Sequence, residues 1–273
     1  MTGRRIFITG GASGLGRALA ERHASAGWRV LIGDILVERA VETVAALTSR
    51  GATAAQVPCD VRREDDLEAA ARWLDAEWGG VDVVVNNAGV ALAGDIAEMS
   101  LADWSWIIDI NLLGVVRGCK VFTPRFLRQG HGHFVNVASM AGLVHPPHMS
   151  AYTATKAAVV ALSESLASEL APSGISVSVV CPSFFRTSLH ETMRATRPEL
   201  GTTARTLVVR ANRGADDIAA RVFEGVARKD FVILTDAEGR LAWAVKRLTP
   251  YPAYRGFMRL TARVMESRGR ARS

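Results

Sequence analysis

Short runs of consecutive apolar residues alternate along this chain with longer stretches whose apolar positions recur every three to four residues. The runs are Arg4 to Thr9, Arg29 to Gly33, Ala54 to Cys59, Val81 to Val85, Gly132 to Ala138 and Phe231 to Leu234. Each reads as a buried strand. Leu19 to Ala26, Val37 to Leu47, Glu64 to Trp78, Leu101 to Arg128 and Ser150 to Leu170 carry the helical period. Strands and helices in this rhythm imply right-handed crossovers and a parallel sheet, an α/β fold whose ligands sit beyond the carboxyl ends of the strands.

Chemistry-bearing residues fall at those ends. Gly10-Gly11-Ala12-Ser13-Gly14-Leu15-Gly16 follows the first strand at once and opens a helix. That arrangement brings a dinucleotide pyrophosphate onto a helix N-terminus, with glycine where backbone approaches phosphate too closely for a Cβ. The second strand ends in Asp34. A carboxylate there accepts hydrogen bonds from the adenosine ribose and repels a 2′-phosphate. No Lys or Arg stands at position 13 or 35 to neutralise one, so NAD is expected in preference to NADP. Asp34 is also placed to cap the helix from Val37, a compatible role. The fourth run terminates in Asn86-Asn87-Ala88-Gly89, and Ser139 stands just past the fifth.

The helix over Ser150 to Leu170 carries Tyr152 and Lys156 on one face, four residues apart, with Ser150 as its expected N-cap and Pro172-x-Gly174 as its stop. A free tyrosine, with a pKa of about 10, is a poor base at neutral pH. A lysine cation roughly 4 Å away at an effective dielectric near 20 favours phenolate by about 4 kcal/mol before desolvation opposes it. Ser139, thirteen residues upstream, is placed to bond the same substrate oxygen. Such a Tyr/Lys pair also arises by chance on helix surfaces, and Asn111, within the stretch from Leu101, reads on its own as a hydrogen-bonded interior asparagine.

Composition narrows the class. The chain has 273 residues, 49% hydrophobic and 22% charged, as in an ordinary globular protein. It has no run of eighteen apolar residues, and Met1 to Arg5 leads straight into the first strand, leaving no room for a signal peptide. Cys59, Cys119 and Cys181 are scattered, as for reduced, packed thiols. A cytoplasmic location is expected. Net charge is +6, but Arg240 to Ser273 holds nine Lys/Arg and one acid, a local +8 that leaves −2 for the first 239 residues. The basic character belongs to the tail, and no nucleic-acid surface is implied.

Taken together, Thr9-Gly10-x-x-x-Gly14-x-Gly16, Asp60, Asn86-Asn87-Ala88-Gly89, Asn111, Ser139, Tyr152-x-x-x-Lys156 and Val180-Cys181-Pro182-Ser183-Phe184-Phe185-Arg186-Thr187 resemble the short-chain dehydrogenase/reductase family over roughly residues 4 to 235. The resemblance implies one Rossmann-type doubly wound domain with about seven parallel strands. It implies a catalytic set of Asn111, Ser139, Tyr152 and Lys156. Tyr152 passes a proton to or from the substrate oxygen, Ser139 orients that oxygen, Lys156 lowers the tyrosine pKa and holds the nicotinamide ribose, and Asn111 supports a water relay. It assigns the dinucleotide to Gly10, Ser13, Gly14, Leu15, Gly16, Asp34, Asn87, Ala88, Gly89, Tyr152, Lys156 and Pro182, with Asp60 and Val61 bracketing the adenine and Thr187 at the carboxamide. Ser183 departs from the family's usual glycine and fits only if its φ stays negative.

Residues 1–239, with a substrate loop over 188–212, are expected to form the catalytic domain and 240–273 a basic helical tail. Leu143, Val144, Met149, Phe184, Phe185, Leu189 and Met193 make the substrate side mostly apolar, which points to a hydrophobic secondary alcohol or ketone. Arg186, Arg194 and Arg197 read as solvated residues, with an acyl-carrier phosphate as the alternative. His145 and His148 read as loop residues, and no metal site is expected. Ala253 to Met265 is amphipathic with Arg255, Arg259 and Arg263 on its polar side, suited to packing on protein or to peripheral contact with an anionic membrane. A homodimer through the 101–128 and 151–170 helices is expected, and the tail bears on whether a tetramer forms. The rival functions are an NADP-dependent 3-oxoacyl-thioester reductase, opposed by Asp34, and a dinucleotide-sensing binding protein, opposed by the full catalytic set. A sugar-nucleotide epimerase would need a larger carboxy-terminal domain.

Overall fold

A computed structural model describes residues 3–254 and Gly256. In chain order the first half runs β1 Arg5–Thr9, α1 Gly14–Ser25, β2 Arg29–Asp34, α2 Val37–Thr48, β3 Ala54–Pro58, α3 Glu64–Trp78, β4 Val83–Asn86 and β5 Leu92–Ala93. It continues with α4 Leu101–Ile108, α5 Gly114–Gln129, β6 Gly132–Val137, α6 Ala141–Val144, α7 Ser150–Leu170 and β7 Ile175–Cys181. The last elements are β8 Arg194–Ala195, α8 Pro198–Val209, α9 Ala215–Arg228, β9 Val232–Leu234 and α10 Ala237–Leu248. Seven strands pair in the order β3-β2-β1-β4-β6-β7-β9, every pair parallel, and β5 pairs with β8 in a small separate ribbon.

The strand period of two sorts the core into two layers. Phe7, Leu31 and Phe134 face Phe122 and Phe126 on the side of α3, α5 and α7. Ile6, Ile8, Val30 and Ile32 pack against Leu19, Ile218 and Val222 on the side of α1 and α9. Both faces of the sheet are therefore covered, as the unbroken apolar runs require. This is the doubly wound architecture.

Three local expectations are corrected. The single helix over 101–128 is interrupted at Asp109–Leu113 by a turn of π-helix. The wider turn admits an extra residue and sends Asn111 into the interior, fully buried. Ser150 is the first helical residue of α7, with Met149 in the cap position. The fourth strand starts two residues late, because the Gln129 side chain takes the Val81 backbone: Val81 N donates to Gln129 Oε1 at 3.2 Å, and Gln129 Nε2 to Val81 O at 2.8 Å.

Most of the amphipathic stretch 253–265 lies outside the described residues. Residues 251–254 are helical, and α10 runs without a break across position 239. Among the described residues no helix is long and apolar enough to cross a membrane.

Candidate active site

The dinucleotide end begins at the turn between β1 and α1. Gly10 and Gly14 have φ of 64° and 51°, values that glycine adopts without strain. Gly16 packs against the turn so closely that a Cβ would stand 2.1 Å from Gly10 O. Asn87 fixes the turn from the neighbouring strand end: its Nδ2 donates to Thr9 O at 2.9 Å and Gly10 O at 3.0 Å. Thr9 Oγ1 in turn accepts from Asn87 N and Ala88 N at 3.0 and 3.1 Å. Helix α1 starts with no side-chain cap at Ser13 and no acidic residue in its first turn. Its positive end therefore meets the cavity uncompensated, as a phosphate cradle requires.

Asp34, at the end of β2, is 6% exposed. Its Oδ2 accepts from Ala12 N and its Oδ1 from Leu36 N, both at 2.9 Å. Those bonds aim the carboxylate and leave further lone pairs for a ligand. Asp60 is held by Arg62, whose Nη2 donates to Asp60 Oδ2 at 2.6 Å, and this pairing keeps the carboxyl below its ordinary pKa. Val61 packs on Gly114, where a Cβ would lie 2.9 Å from Val61 Cγ2. Thr187 accepts from Leu189 N at 3.4 Å, and its Oγ1 stands 2.6 Å from where a Gly14 Cβ would be. The loop after β7 thus crosses directly over the glycine turn.

At the other end Ser139 follows β6 and accepts from Ala141 N at 3.1 Å. Tyr152 and Lys156, one turn apart in α7, are 8% and 4% exposed. Lys156 Nζ donates to Val137 O at 2.8 Å and lies 5.9 Å from the Tyr152 ring centroid. Burial disfavours both charged forms. It pushes the Tyr152 phenol up, with the Ser139 hydroxyl acting in the opposite direction, and brings the Lys156 ammonium down to about 8. The net direction at the phenol is therefore set by burial. The ammonium is bonded to a main-chain carbonyl, and the pair sits out of water, so desolvation dominates.

A pH effect follows from Lys156. The unfolded chain keeps the lysine proton up to about 10.4, whereas the folded protein releases it near 8. The burial cost is full below the folded value and fades as pH rises through this window, so this group's contribution to stability rises with pH. Cys59, Cys119 and Cys181, pushed up to about 12 by burial, act against it above about 9. The observable is therefore a difference: urea unfolding of wild type relative to Lys156→Met should improve between pH 8 and 10. A constant difference across that range would remove Lys156 as the source.

Asn111 is wholly engaged. Its Oδ1 accepts from Val90 N at 2.8 Å, and its Nδ2 donates to Val90 O at 2.9 Å and Thr155 Oγ1 at 3.4 Å. It anchors the segment after β4, where a Cβ on Gly89 would come within 3.2 Å of Asn111 Oδ1 and 3.5 Å of Lys156 Nζ. One cavity of about 720 Å³ joins the two ends, and every catalytic or dinucleotide residue expected from the sequence lines it except Gly16 and Asn111, which stand behind its wall. Pro182 and Ser183 lie on that wall, and Ser183 keeps a negative φ, so the serine fits.

The substrate side is apolar, with Val90, Met149, Phe184, Leu189 and Met193 on the wall, while Leu143 belongs to the core. The three arginines are engaged by protein. Arg186 donates to Ala211 O at 2.6 Å, Arg194 stacks 3.8 Å from the Trp106 ring centroid, and Arg197 pairs with Asp95 and Glu98. His148 Nδ1 meets Asp95 Oδ1 at 2.5 Å, and His145 Nε2 meets Gly142 O at 3.1 Å. Among the described residues no cluster of three metal-binding side chains occurs. Sequence reasoning missed Arg39, paired with Glu191 at 2.8 Å across the cavity rim, and Ala242 and Tyr254 on its wall. No local pattern marks Arg39 or Ala242, and Tyr254 reads in the sequence only as part of the apolar side of the 253–265 stretch, since their partners are remote in the chain.

A doubly wound parallel sheet with a glycine cradle, a buried acid after β2 and one cavity beyond its strand ends defines a dinucleotide-binding α/β protein. Residues 4–198 match the family described as short chain dehydrogenase, and the chain belongs to that family of oxidoreductases acting on CH–OH and C=O groups. It is 34% identical over 251 residues to a CLA biosynthesis dehydrogenase/reductase of Lactiplantibacillus plantarum, covering 85% of this chain and 88% of the relative. A short chain dehydrogenase/reductase of Burkholderia phymatum in complex with NAD superposes with a TM-score of 0.81 at 33% identity, covering 97% and 95% of the two chains. A short-chain dehydrogenase of Sphingobium yanoikuyae in complex with NADPH gives 0.75 at 28%, covering 93% and 95%. These two solved relatives thus hold nicotinamide dinucleotides of both kinds.

Proposed function

We propose that this protein is an NAD-dependent oxidoreductase that moves hydride between the cofactor and a hydrophobic secondary alcohol or ketone. The observation that carries this reading is the shared cavity, with the glycine turn and Asp34 at one end and Ser139, Tyr152 and Lys156 at the other. The cofactor, when bound, supplies the hydride acceptor or donor.

The chain's own residues do the rest. Ser139 Oγ and the Tyr152 phenol hold the substrate oxygen between them, and the neutral phenol that burial favours gives its proton to a ketone oxygen during reduction. In oxidation it must accept one, so alcohol oxidation gains from higher pH. Lys156, fixed by Val137 O, presents its remaining N–H donors to the cofactor ribose. Asn111 is a positioning residue that holds the segment from Gly89 to Val90. The apolar walls exclude water from the reacting centre, which strengthens these interactions.

NAD is favoured because a second anion beside Asp34 would sit next to a buried carboxylate already held by two backbone N–H groups. Asp34→Ala should erode the NAD/NADP ratio of kcat/KM by about tenfold or more, one charge contact at 1.4 kcal/mol or above. An unchanged ratio would refute the ribose role. The direct test of the function is absorbance at the reduced-nicotinamide band, with NAD and NADP in parallel, across steroids, long-chain hydroxyacyl thioesters and short diols. Turnover of one apolar class with NAD is the expected result. Cofactor binding with no turnover of any alcohol or ketone would overturn it in favour of a sensor.

A further inference from the structure

We infer that the segment from Asp236 to Tyr254 is the distal wall of the substrate chamber, and that Tyr254 supplies the contact for the far apolar end of the substrate. The inference deepens the dehydrogenase reading and relies on it only for the reacting group.

The segment is built onto the catalytic loop at both ends. Asp236, 4% exposed, caps α10 by accepting from Gly239 N at 2.6 Å. Gly239 lies so close to the site that a Cβ would stand 2.9 Å from Ser183 Oγ and 3.1 Å from Met140 Sδ. These two residues directly follow Pro182 and Ser139. Trp243 packs against the core layer that contains Met140 and Leu143. Further along, Lys246 Nζ donates to Leu143 O and stands 3.0 Å from His145 Nδ1, while the Tyr254 hydroxyl donates to Val144 O.

Those two carbonyls end α6, a helix too short to satisfy them internally. The chain leaves them through His145 at a φ of 52°. Donors from the carboxy-terminal segment meet both carbonyls and pin the loop that follows Ser139. Tyr254 is buried while Tyr251, Pro252 and Ala253 beside it are exposed. Its destination is the cavity, which it lines together with Ala242.

Of the segment's lining residues Glu238 is exposed, while Ala242 and the buried Tyr254 offer a methyl group and an aromatic ring, with the phenol oxygen already committed to Val144. The wall therefore recognises the apolar end of a substrate whose hydroxyl or carbonyl lies at Ser139 and Tyr152. Tyr254→Ala should raise KM about tenfold for secondary alcohols long enough to reach the wall, and shift kcat by less than about threefold, since a pocket contact worth one or two methylenes discriminates at this level. A short alcohol such as 2-butanol should respond far less than a long one. Ala242→Trp fills the same end and should exclude long alcohols selectively, which guards against a Tyr254 variant that does not fold.

Binding of a neutral naphthyl ketone to NAD-loaded protein, followed by fluorescence, reads the wall without turnover. A probe Kd raised about tenfold in Tyr254→Ala, or by a similar factor in Ala242→Trp, supports the inference even if no alcohol is oxidised, an outcome that would sink the dehydrogenase reading alone. Equal probe Kd in wild type and both variants overturns the wall, whatever the enzyme turns over.

Discussion

Tyr152→Phe should lower turnover by about three orders of magnitude while leaving the Kd for NAD within about twofold, the usual weight of one general acid/base. The two halves of this expectation have separate physical causes. The ring is 8% exposed and packs with Ala91, Leu92, Met99, Ile107, Ala141 and Ala151, and phenylalanine keeps that packing. The dinucleotide cradle, built from Gly10, Gly14, Gly16, Asn87 and Asp34, has no hydrogen bond to the phenol. Only the hydroxyl is lost, and with it the proton carrier and one neighbour of Ser139. Stability should change by about 1 kcal/mol at most, the net worth of one hydrogen bond. Stopped-flow turnover and calorimetric NAD titration of the same preparation separate the outcomes. Activity within a factor of ten of wild type would assign the proton transfer to another group. Loss of activity and of NAD affinity together would point instead to a collapsed site.

The parts of this molecule that were legible in the sequence are those whose cause is local. Ile6-Phe7-Ile8 and Val83-Val84-Val85 are apolar without interruption because both of their faces are covered, and that property shows in four or five residues of chain. Tyr152 and Lys156 lie one turn apart in a helix that Pro172 and Gly174 stop where expected. The glycine turn is likewise a local demand of backbone geometry, with positive φ at Gly10 and Gly14. What escaped the sequence is made by distant residues meeting. Lys156 is coupled to Val137 O more closely than to the phenol, Arg39 meets Glu191 across 152 positions, and Tyr254 meets Val144 across 110. The π turn at Asp109–Leu113 lies between the two. Its sequence reads as plain helix, and the extra residue is fixed by the bonds Asn111 makes to Val90.

Gly16→Ala should cost NAD affinity about a hundredfold or more, equivalent to about 2.7 kcal/mol, and lower the melting temperature. Helix propensity alone argues the other way, since alanine inside a helix is favoured over glycine by about 1 kcal/mol. Gly16 lies in α1 and is not among the glycines at positive φ. The steric term decides. A Cβ at this position stands 2.1 Å from Gly10 O and 2.6 Å from Asn87 Nδ2. The first of these atoms is backbone, and the second is held by bonds to Thr9 O and Gly10 O. Relief requires α1 to move away from the turn or the turn to open, and either displaces the N–H groups that meet the pyrophosphate. Overpacking of this kind costs about 1–3 kcal/mol before the lost hydrogen bonds are counted. Gly51→Ala is the control. Gly51 has a φ of 82° and nothing within 4 Å of its would-be Cβ, so it takes conformational strain but no collision. The Gly51 variant should lose modest stability and keep its NAD Kd. If both variants bind NAD like wild type, the close approach of α1 to the turn is not what forms the cradle, and the weight shifts to Asp34 and Lys156.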